Sequence, residues 1–402
     1  MPTPPTPVYD VTTFVSPSGT DPAVDIGKVI NEIMTVIHTN QSGPHTRPGA
    51  VIYIPPGHYD LLTRAVIDRS FIQIKGSGHG FMSEAVRDDE GQPTGGWYEL
   101  EPGSSHVRVK NTDGHHEAFL VQRTGDPAAI GRLNGIEFRD FCIDGVTGSR
   151  PYLPGTGKVG ISVQSDTDSL RIEGMGMVYL AQACVLSGCD ATYVINNVIT
   201  ECGDGVAFVG GALVPRIQDN FIICPWAGNG IYIENTQGFL ITGNTLLWHG
   251  AVTLNNCSRG SVTANRFNSE IPGNLVLDNA CDQILVASNH FYRENTGPLD
   301  TRGTRDDYFG MLHIRGTNHT ITGNHLGFNV DAGAALPSGS LPTFILVANG
   351  SNDFIANNHI VSNRPGKVVL DGSVSGIKLL YTTASGQLQA YPGAGYYEQI
   401  IP

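Results

Sequence analysis

The sequence is poor in charge, and the basic residues that it has are not clustered. Charged residues make up 15% of its 402 positions, and 24 Lys and Arg against 37 Asp and Glu give a formal net charge of −13. Binding a polyanion requires clustered Lys and Arg, which neutralise its phosphates or uronates. The composition therefore predicts no nucleic-acid partner.

Long apolar runs and paired cysteines are also missing. No stretch stays apolar over the ~20 residues that a membrane-spanning helix needs, so we expect no membrane association through such a helix. The seven cysteines contain no CxxC pair, and such scattered thiols are typical of buried, unpaired side chains. The N-terminus lacks a charged region followed by an apolar one. The protein is thus expected to be cytoplasmic, or secreted with its leader removed.

Common catalytic and metal-binding motifs are absent. The sequence has no P-loop, no GxSxG, no HExxH and no histidine cluster with metal-ligand spacing. Histidines do recur in the second half, but single imidazoles beside turn asparagines are more often surface or stacking residues. We therefore predict no metal site and no cofactor. The recurring histidines are His249, His290, His313, His319, His325 and His359.

The sequence does contain one short repeated motif. An aliphatic residue, two variable positions and an asparagine recur at steps of 23, 24, 21 and 24 residues, followed by two longer steps of 35 and 34. A fixed period in the twenties, with 50 glycines and many short β-forming runs, predicts a solenoid. The predicted fold is all-β, a single-domain right-handed parallel β-helix. The repeated asparagines are Asn197, Asn220, Asn244, Asn265, Asn289, Asn324 and Asn358.

The repeated asparagines are predicted to be structural. Asparagine tolerates the left-handed conformation at a sharp bend, and its amide can hydrogen-bond to the equivalent amides above and below it. Inward positions of the repeats are expected to form the core. Examples are Val206 and Phe208, Ile231 and Ile233, Val252 and Leu254, and Leu275 and Leu277.

The repeat region has predicted boundaries and interruptions. Residues 1–20 are expected to be an extended segment, 21–375 the β-helix domain with a capping helix at 25–39 behind an Asp25 cap, and 376–402 a C-terminal tail. The segment 82–105 is expected to protrude as a loop, in which Trp97 and Tyr98 would stack on a sugar ring or pack on the solenoid wall. Insertions at 293–310, with Asp300, Arg302, Arg305, Asp306 and Asp307, and at 329–343 are expected to project from one side.

The turns of the regular repeats carry acidic residues that suit carbohydrate chemistry. Cleavage of a glycosidic bond needs one protonated carboxyl and one carboxylate. Asp190 and Glu201 stand out because both follow a strand and both are flanked by Gly and Cys, which leave room for a ligand. A turn-forming Asp190 and a solvated Glu201 explain the local sequence at least as well. The acids considered are Asp190, Glu201, Asp204, Asp219, Glu234 and Asp278.

Several separate strings together resemble the inulin fructotransferase family over about residues 8 to 375. They include Arg47-Pro-Gly-Ala50, Ile54-Pro-Pro-Gly57, Arg139-Asp-Phe-Cys-Ile-Asp-Gly145, Gly174-Met-Gly-Met-Val-Tyr-Leu180 and Glu201-Cys-Gly203. The resemblance implies a trimeric parallel β-helix with active sites between subunits. It also implies release of difructose dianhydride, I or III, from the end of inulin, a β-2,1-fructan, or from fructo-oligosaccharides.

The resemblance also implies a catalytic pair, an Asp and a Glu that are eleven positions apart. Asp190 and Glu201 match that spacing. We assign Glu201 as the acid that protonates the leaving oxygen and Asp190 as the base or charge stabiliser, although the roles could be exchanged. The nucleophile is a hydroxyl of the same substrate, so no cofactor is implied. Trp97, Tyr98, Asp300, Arg302 and Asp306 are the expected substrate-binding residues, from their position on loops.

Three other functions fit parts of the sequence. A related hydrolase opens difructose dianhydride III to inulobiose, and it would be cytoplasmic where the transferase would be secreted. A pectate-lyase-type enzyme shares the fold but needs calcium-binding Asp residues and basic residues for polyuronate. A non-enzymatic carbohydrate-binding β-helix is the third.

Overall fold

The computed structural model describes most of the chain. The described residues are 7–40, 43, 45, 49–87, 93–124, 131–146, 157–164, 166–224, 228–248, 250–269, 272–278, 280–295, 310–330, 341–371, 373–383, 388–390 and 397–401. They form two compact units, residues 1–202 and 203–402, each of which is considered by itself. Among these residues no helix is long and apolar enough to cross a membrane.

The described residues of the first unit form one helix and short strands. Its strands are β1 Val8–Asp10, β2 Ala50–Tyr53, β3 Gly57–Leu61, β4 Ala65–Ile67, β5 Ile72–Lys75, β6 Phe81–Arg87, β7 Pro93–Pro102, β8 Ser105–Val109, β9 Glu117–Val121, β10 Leu133–Asn134, β11 Glu137–Arg139, β12 Cys142–Asp144, β13 Val159–Val163, β14 Thr167–Asp168, β15 Arg171–Glu173, β16 Gly176–Val178, β17 Gln182–Ser187, β18 Cys189–Asp190, β19 Tyr193–Ile195 and β20 Val198–Thr200; the helix α1 spans Pro22–Asn40.

These strands stack in parallel into three faces. Face 1 is β4-β9-β13-β17, face 2 is β1-β2-β5-β11-β15-β19, and face 3 is β3-β8-β12-β16-β20. A narrow strip, β10-β14-β18, fills the corner between faces 1 and 2. Each rung therefore passes from face 1 through this corner to face 2 and face 3. This repeated parallel path confirms the predicted β-helix.

The predicted capping helix is present within α1, which has a kink at Asp25 and ends one residue beyond the predicted end. Its apolar side is fully buried, as Ile26, Ile30 and Ile33 show. Asp25 has a non-helical backbone with φ −151°, and its carboxylate accepts hydrogen bonds from the Lys28 and Leu62 backbone N–H groups at 3.3 and 3.1 Å. Asp25 therefore caps the helix, as predicted, and also ties it to the end of β3.

The second unit repeats the three-faced plan. Its strands are β21 Asp204–Val209, β22 Ala212–Leu213, β23 Arg216–Gln218, β24 Phe221–Ile223, β25 Asn229–Glu234, β26 Thr236–Gln237, β27 Leu240–Thr242, β28 Thr245–Trp248, β29 Ala251–Asn255, β30 Ser261–Thr263, β31 Arg266–Ser269, β32 Leu275–Leu277, β33 Leu285–Ala287, β34 His290–Asn295, β35 Leu312–Thr317, β36 Thr320–Thr322, β37 His325–Val330, β38 Thr343–Ser351, β39 Phe354–Ser362, β40 Gly366–Leu370, β41 Lys378–Thr383, β42 Leu388–Ala390 and β43 Tyr397–Ile401.

Its faces are long parallel stacks that end in antiparallel strands. Face 1 is β21-β25-β29-β32-β35-β38-β40, face 2 is β23-β27-β30-β33-β36-β39-β41, and face 3 is β24-β28-β31-β34-β37-β39. The predicted inward residues of four rungs, from Val206 to Leu277, are 0–1% exposed. In the predicted tail, β42 and β43 pair antiparallel with β41 and β40. These strands cover the edges of the last rung with paired backbone.

The asparagine ladder is confirmed, with one correction. From Asn220 to Asn358, each side-chain amide donates to the amide oxygen of the next asparagine at 2.9–3.0 Å. The left-handed conformation, however, belongs to the residue before each asparagine, such as Asp219, Ala264 and Asn357. The bend is thus made one position earlier, and it points the following amide inward along the stack.

Two further predictions from the sequence can be compared with the described structure. All seven cysteines are free and buried, as predicted. The predicted loop at 82–105 is wrong, because β6 and β7 form an antiparallel hairpin there. Alternating residues such as Tyr98, Glu99 and Leu100 supply the period-two pattern of a strand. Of the predicted insertions 293–310 and 329–343, residues 296–309 and 331–340 lie outside the described residues, and the predicted domain boundaries remain a prediction.

Candidate active site

Asp190 lies in the corner strip between faces 1 and 2 of the first unit. In this strip Asn134, Asp168 and Asp190 occupy the same register on three successive rungs. The backbone turns immediately afterwards at Ala191, which has φ 45°. Stacking therefore places two aspartates side by side at about the 4.8 Å spacing of neighbouring strands. Two adjacent carboxylates repel each other, so the strip needs a cation.

That cation is Arg132, which directly precedes the first strand of the strip. Its guanidinium binds Asp166 through Nε at 2.7 Å, Asp168 through Nη1 at 3.4 Å and Asp190 through Nη2 at 2.6 Å. The hydrogen bond to Asp190 is the main cause that raises the pKa of Arg132. Asp190 remains 21% exposed at its side chain. It is therefore a charged, accessible carboxylate held in one orientation.

A cavity of about 310 Å³ opens beside this arrangement. Arg132 and Asn134 line it together with His45 and Phe71. His45 Nδ1 is 2.8 Å from the Ser70 hydroxyl, which orients the imidazole. The volume lies at the lower end of the range for small-molecule sites. A guanidinium, an amide, an imidazole and an aromatic ring thus surround one space, and the same guanidinium binds Asp190.

Glu201 lies at the corner where face 3 ends. It follows β20 directly, has φ 51° and is half-buried. Tyr179 occupies the equivalent position one rung earlier, after β16, with φ 55°. The left-handed backbone at Glu201 is thus a property of this corner. Next to it, Cys202 is buried with its thiol 3.3 Å from the Thr200 carbonyl oxygen, which holds the chain in place.

Within one chain the structure places Asp190 and Glu201 at different corners of one rung. Asp190 precedes face 2 and Glu201 follows face 3, so β19 and β20 lie between them. A strand of three residues spans about 10 Å, and the chain bends between these two at Asn196. In the eleven positions from Asp190 to Glu201 the backbone therefore follows two sides of the rung.

The hairpin with Trp97 and Tyr98 begins next to face 3. Tyr98 pairs with Glu84 and Trp97 with Ala85, while the side chains of both lie outside the described residues. At the root of the hairpin, a β-carbon on Gly176 would lie 2.6 Å from His79 Cβ and 2.7 Å from the Phe81 ring. Gly176 is the register partner of Val198 in β20. The root of the hairpin at Phe81 therefore packs on the face whose next rung ends at Glu201.

The other predicted substrate-binding residues, Asp300, Arg302 and Asp306, lie outside the described residues. Their role remains a prediction. Within the described part of the chain, no three His, Cys, Asp or Glu side chains are grouped so that they could hold a metal ion.

Sequence reasoning missed Arg132, Asp166, Asp168 and His45. One signal was available, because Asp168 precedes Asp190 by 22 residues, which is one period of the repeat. The sequence does not predict that Arg132 contacts these aspartates, because the arginine lies on the first rung of the strip and the aspartates lie on the two later rungs.

Comparison with known proteins identifies relatives over nearly the whole chain. The chain is 54% identical over 384 residues to the DFA-I-forming inulin fructotransferase of Arthrobacter globiformis, covering 96% of each sequence. The family profile described as the beta helix repeat of inulin fructotransferase matches residues 288–397. A second profile, described as periplasmic copper-binding protein (NosD), matches residues 156–325. Each profile spans less than half of the chain, whereas the relative spans almost all of it.

Solved structures of a DFA-IIIase from Arthrobacter chlorophenolicus A6 share the fold. The enzyme without its lid matches with a TM-score of 0.82 and 37% identity, covering 93% of this chain and 94% of that one. The same enzyme in complex with DFA-III matches with a TM-score of 0.76 and 37% identity, covering 88% and 84%. Its lidless complex with GF2 matches with a TM-score of 0.83 and 36% identity, covering 95% and 96%.

Proposed function

The chain belongs to the inulin fructotransferase family, and from this premise we propose that it releases difructose dianhydride I from the end of inulin. The similarity to a DFA-I-forming transferase carries the choice of product, and the difference in identity favours transfer over hydrolysis. The identity is 54% to the DFA-I-forming transferase but 36–37% to the DFA-IIIase, with similar coverage in both cases. The fructan substrate is uncharged, in agreement with a net charge of −13 and the absence of a basic cluster.

The proposed reaction assigns one proton transfer to each carboxyl. Glu201 donates a proton to the glycosidic oxygen, and the bond from that oxygen to fructosyl C2 breaks, so that the shortened inulin leaves as an alcohol. A hydroxyl of the neighbouring fructosyl unit attacks C2, and its proton passes to Asp190. Transfer of a proton from Asp190 back to Glu201 through water completes the cycle. The identity of the attacking hydroxyl separates product I from product III.

The environments of the two carboxyls support these roles. Asp190 is bound to the Arg132 guanidinium at 2.6 Å, and an ion-paired carboxylate suits a base or a stabiliser of positive charge at C2. Glu201 is half-buried beside buried Cys202, and the proposal gives it the remaining role, that of the acid.

We extend the proposal to a site shared between subunits. Paired carboxyls in glycoside-cleaving enzymes are typically about 5 to 9.5 Å apart. Within one chain Asp190 and Glu201 lie at different corners of the rung, with β19 and β20 between them. The resemblance to a trimeric family supports a site in which Asp190 of one subunit works with Glu201 of another, in a homotrimer. The expected mass in solution is that of three 42.9 kDa chains.

The second candidate function is hydrolysis of difructose dianhydride III to inulobiose. The observation that favours it is the likeness of this chain to the DFA-IIIase structures, one of which is a complex with DFA-III. The same fold would need only to admit water in place of the substrate hydroxyl.

One experiment separates these functions. The purified protein is incubated with inulin and, separately, with difructose dianhydride III, and the products are separated by chromatography and their linkages determined by NMR. The proposal expects dianhydride I from inulin and no inulobiose. Inulobiose from dianhydride III would support the hydrolase, and dianhydride III from inulin would correct the product. The absence of any fructose-containing product would overturn both functions.

A further inference from the structure

Face 3 of the second unit carries a cavity of about 550 Å³ that the proposed reaction does not use. Arg266, His290, Tyr292, His325, Phe328 and Asn329 are among the residues that line it. This volume lies in the range of small-molecule sites and is larger than the cavity beside Asp190. The cavity lies on regular strands, so its lining is held by the β-helix ladder.

A missing side chain creates the recess. Gly327 lies in the column Tyr292-Gly327-Val361, in register on three successive rungs. A β-carbon at Gly327 would lie 2.9 Å from Tyr292 Cδ2. The tyrosine ring therefore lies against the backbone of the next rung, and its hydroxyl is 3.3 Å from Asn329 Nδ2. Beside it, Phe328 is 2% exposed and lies under the Arg293 guanidinium at 5.4 Å.

The rim of the recess includes three exposed polar side chains of one column. Arg266, His290 and His325 line the recess and are in register on three successive rungs, and His359 follows on the next rung, outside the lining. The imidazole centroids of His290 and His325 are 4.9 Å apart, and those of His325 and His359 are 5.5 Å apart. One kind of side chain thus recurs at the spacing of the rungs, which suits a ligand built of repeated units.

The chemistry of the lining suits uncharged hydroxyl groups. Burial lowers the pKa of both His290 and His325, and nearby Arg266 and the neighbouring imidazoles act in the same direction. Neutral imidazole and phenol groups each both donate and accept a hydrogen bond, as a sugar hydroxyl does. Among the described lining residues no carboxylate is present and Arg266 is the charged one. The Tyr292 ring offers an apolar surface for the C–H face of a sugar.

We propose that this cavity is a fructan-binding site separate from the catalytic carboxyls, which holds internal units of a long inulin chain. The identity of the polymer rests on the proposed function. A chain held here would raise the local concentration of its end at the active sites. Long inulin would gain from this effect because many of its units remain free to bind here, whereas a tetrasaccharide has only two units beyond the two that react.

The test compares the His290→Ala/His325→Ala double variant with His359→Ala. Both changes remove exposed imidazoles from the same column, but His359 is not among the lining residues. The double variant should raise KM for long inulin about fivefold with kcat unchanged, and leave kcat/KM for a fructan tetrasaccharide unchanged. His359→Ala should match the wild type on both substrates. Retention of wild-type KM on long inulin by the double variant would overturn the inference.

A binding assay without turnover distinguishes this inference from the proposed function. Electrophoresis is run in native gels that contain inulin, dextran or polyphosphate. The wild type and His359→Ala should be retarded by inulin alone, and the double variant should lose about fivefold in affinity. Retardation by polyphosphate and not by inulin would show an anion site and overturn the inference. If the wild type forms no dianhydride but shows this pattern, the proposed function fails and the binding site stands.

Discussion

Asp190 in the first unit and Asp353 in the second each lie at the corner between faces 1 and 2 of their unit, and their surroundings are opposite. Asp190 is 21% exposed at its side chain and bound by Arg132 at 2.6 Å. Asp353 is 1% exposed, and one of its carboxyl oxygens accepts the His319 backbone N–H at 2.9 Å. Burial raises the pKa of Asp353 to about 7, although the hydrogen bond from His319 acts in the other direction.

The difference shows that a perturbed carboxyl is not always the functional one. A raised pKa is a common sign of an active site. In this protein it marks a carboxyl enclosed in the wall of the solenoid, whereas the candidate catalytic aspartate is accessible and ion-paired. The asparagine ladder differs from both aspartates, because its neutral side-chain amides form hydrogen bonds with one another along the stack and carry no charge. Chemistry is therefore expected where the corner is charged and open.

The largest expected effect is on the two candidate catalytic carboxyls. Asp190→Asn and Glu201→Gln should each lower kcat for dianhydride release by about 10³-fold, because each removes a proton transfer. Product formation is followed by chromatography, and thermal unfolding checks that the fold is kept. Asp168→Asn is the matched control, because Asp168 shares Arg132 at the longer distance of 3.4 Å. Near-wild-type turnover in both variants would refute the assignment.

Replacing an asparagine of the ladder should lower the stability of the protein. Asn265→Ala removes a buried amide that accepts two hydrogen bonds from Asn244 and donates to Ile241 O and Asn289 Oδ1. Its partners remain buried, so the free energy of unfolding should fall by about 3 kcal/mol. Denaturant unfolding measures this value. Asn268→Ala, on the outward side of face 3, is the control and should change stability by less than about 0.5 kcal/mol. Equal losses would contradict a structural ladder.

Asp353 should be a destabilising residue at alkaline pH. Its pKa is raised from 3.8 to about 7 by folding, so the folded state holds the proton more strongly. Stability then falls as pH rises from about 4 to about 7 and stays low above that. Asp353→Asn should therefore stabilise the protein by about 2 kcal/mol at pH 8, with a gain that shrinks towards pH 4. A gain independent of pH in denaturant unfolding would contradict the assignment.

The smallest expected effect concerns Arg132. Arg132→Lys keeps one positive charge but loses the planar fork that binds Asp166, Asp168 and Asp190 together. Orientation of Asp190 should loosen, and kcat should fall about tenfold. Steady-state kinetics with inulin measures this change. Arg139→Lys is the control, since Arg139 forms a similar fork with Glu137 and Glu173 on face 2. Unchanged kcat in Arg132→Lys would show that the guanidinium only neutralises charge.

Much of the fold was predictable because one local pattern repeats. The aliphatic residue and asparagine at steps of 21 to 24 residues indicate rungs, and the ladder amides pair as that spacing implies. The hairpin at 82–105 was not predicted, because its polar residues and glycines are as typical of a loop as of an exposed two-stranded ribbon. The resemblance to a known family identified Asp190 and Glu201, which local sequence alone left open.

The sequence by itself determined the period, the inward side chains, the capped helix and the identity of the family, since each depends on residues that are close in the chain or on strings of residues. The tertiary structure alone decided which side chains meet. Arg132 reaches Asp190 over 58 positions because stacking places successive rungs about 4.8 Å apart. It also placed Asp190 and Glu201 at different corners of one rung, with two strands and a bend between them. Spacing along a chain becomes distance only when the path of the backbone is known.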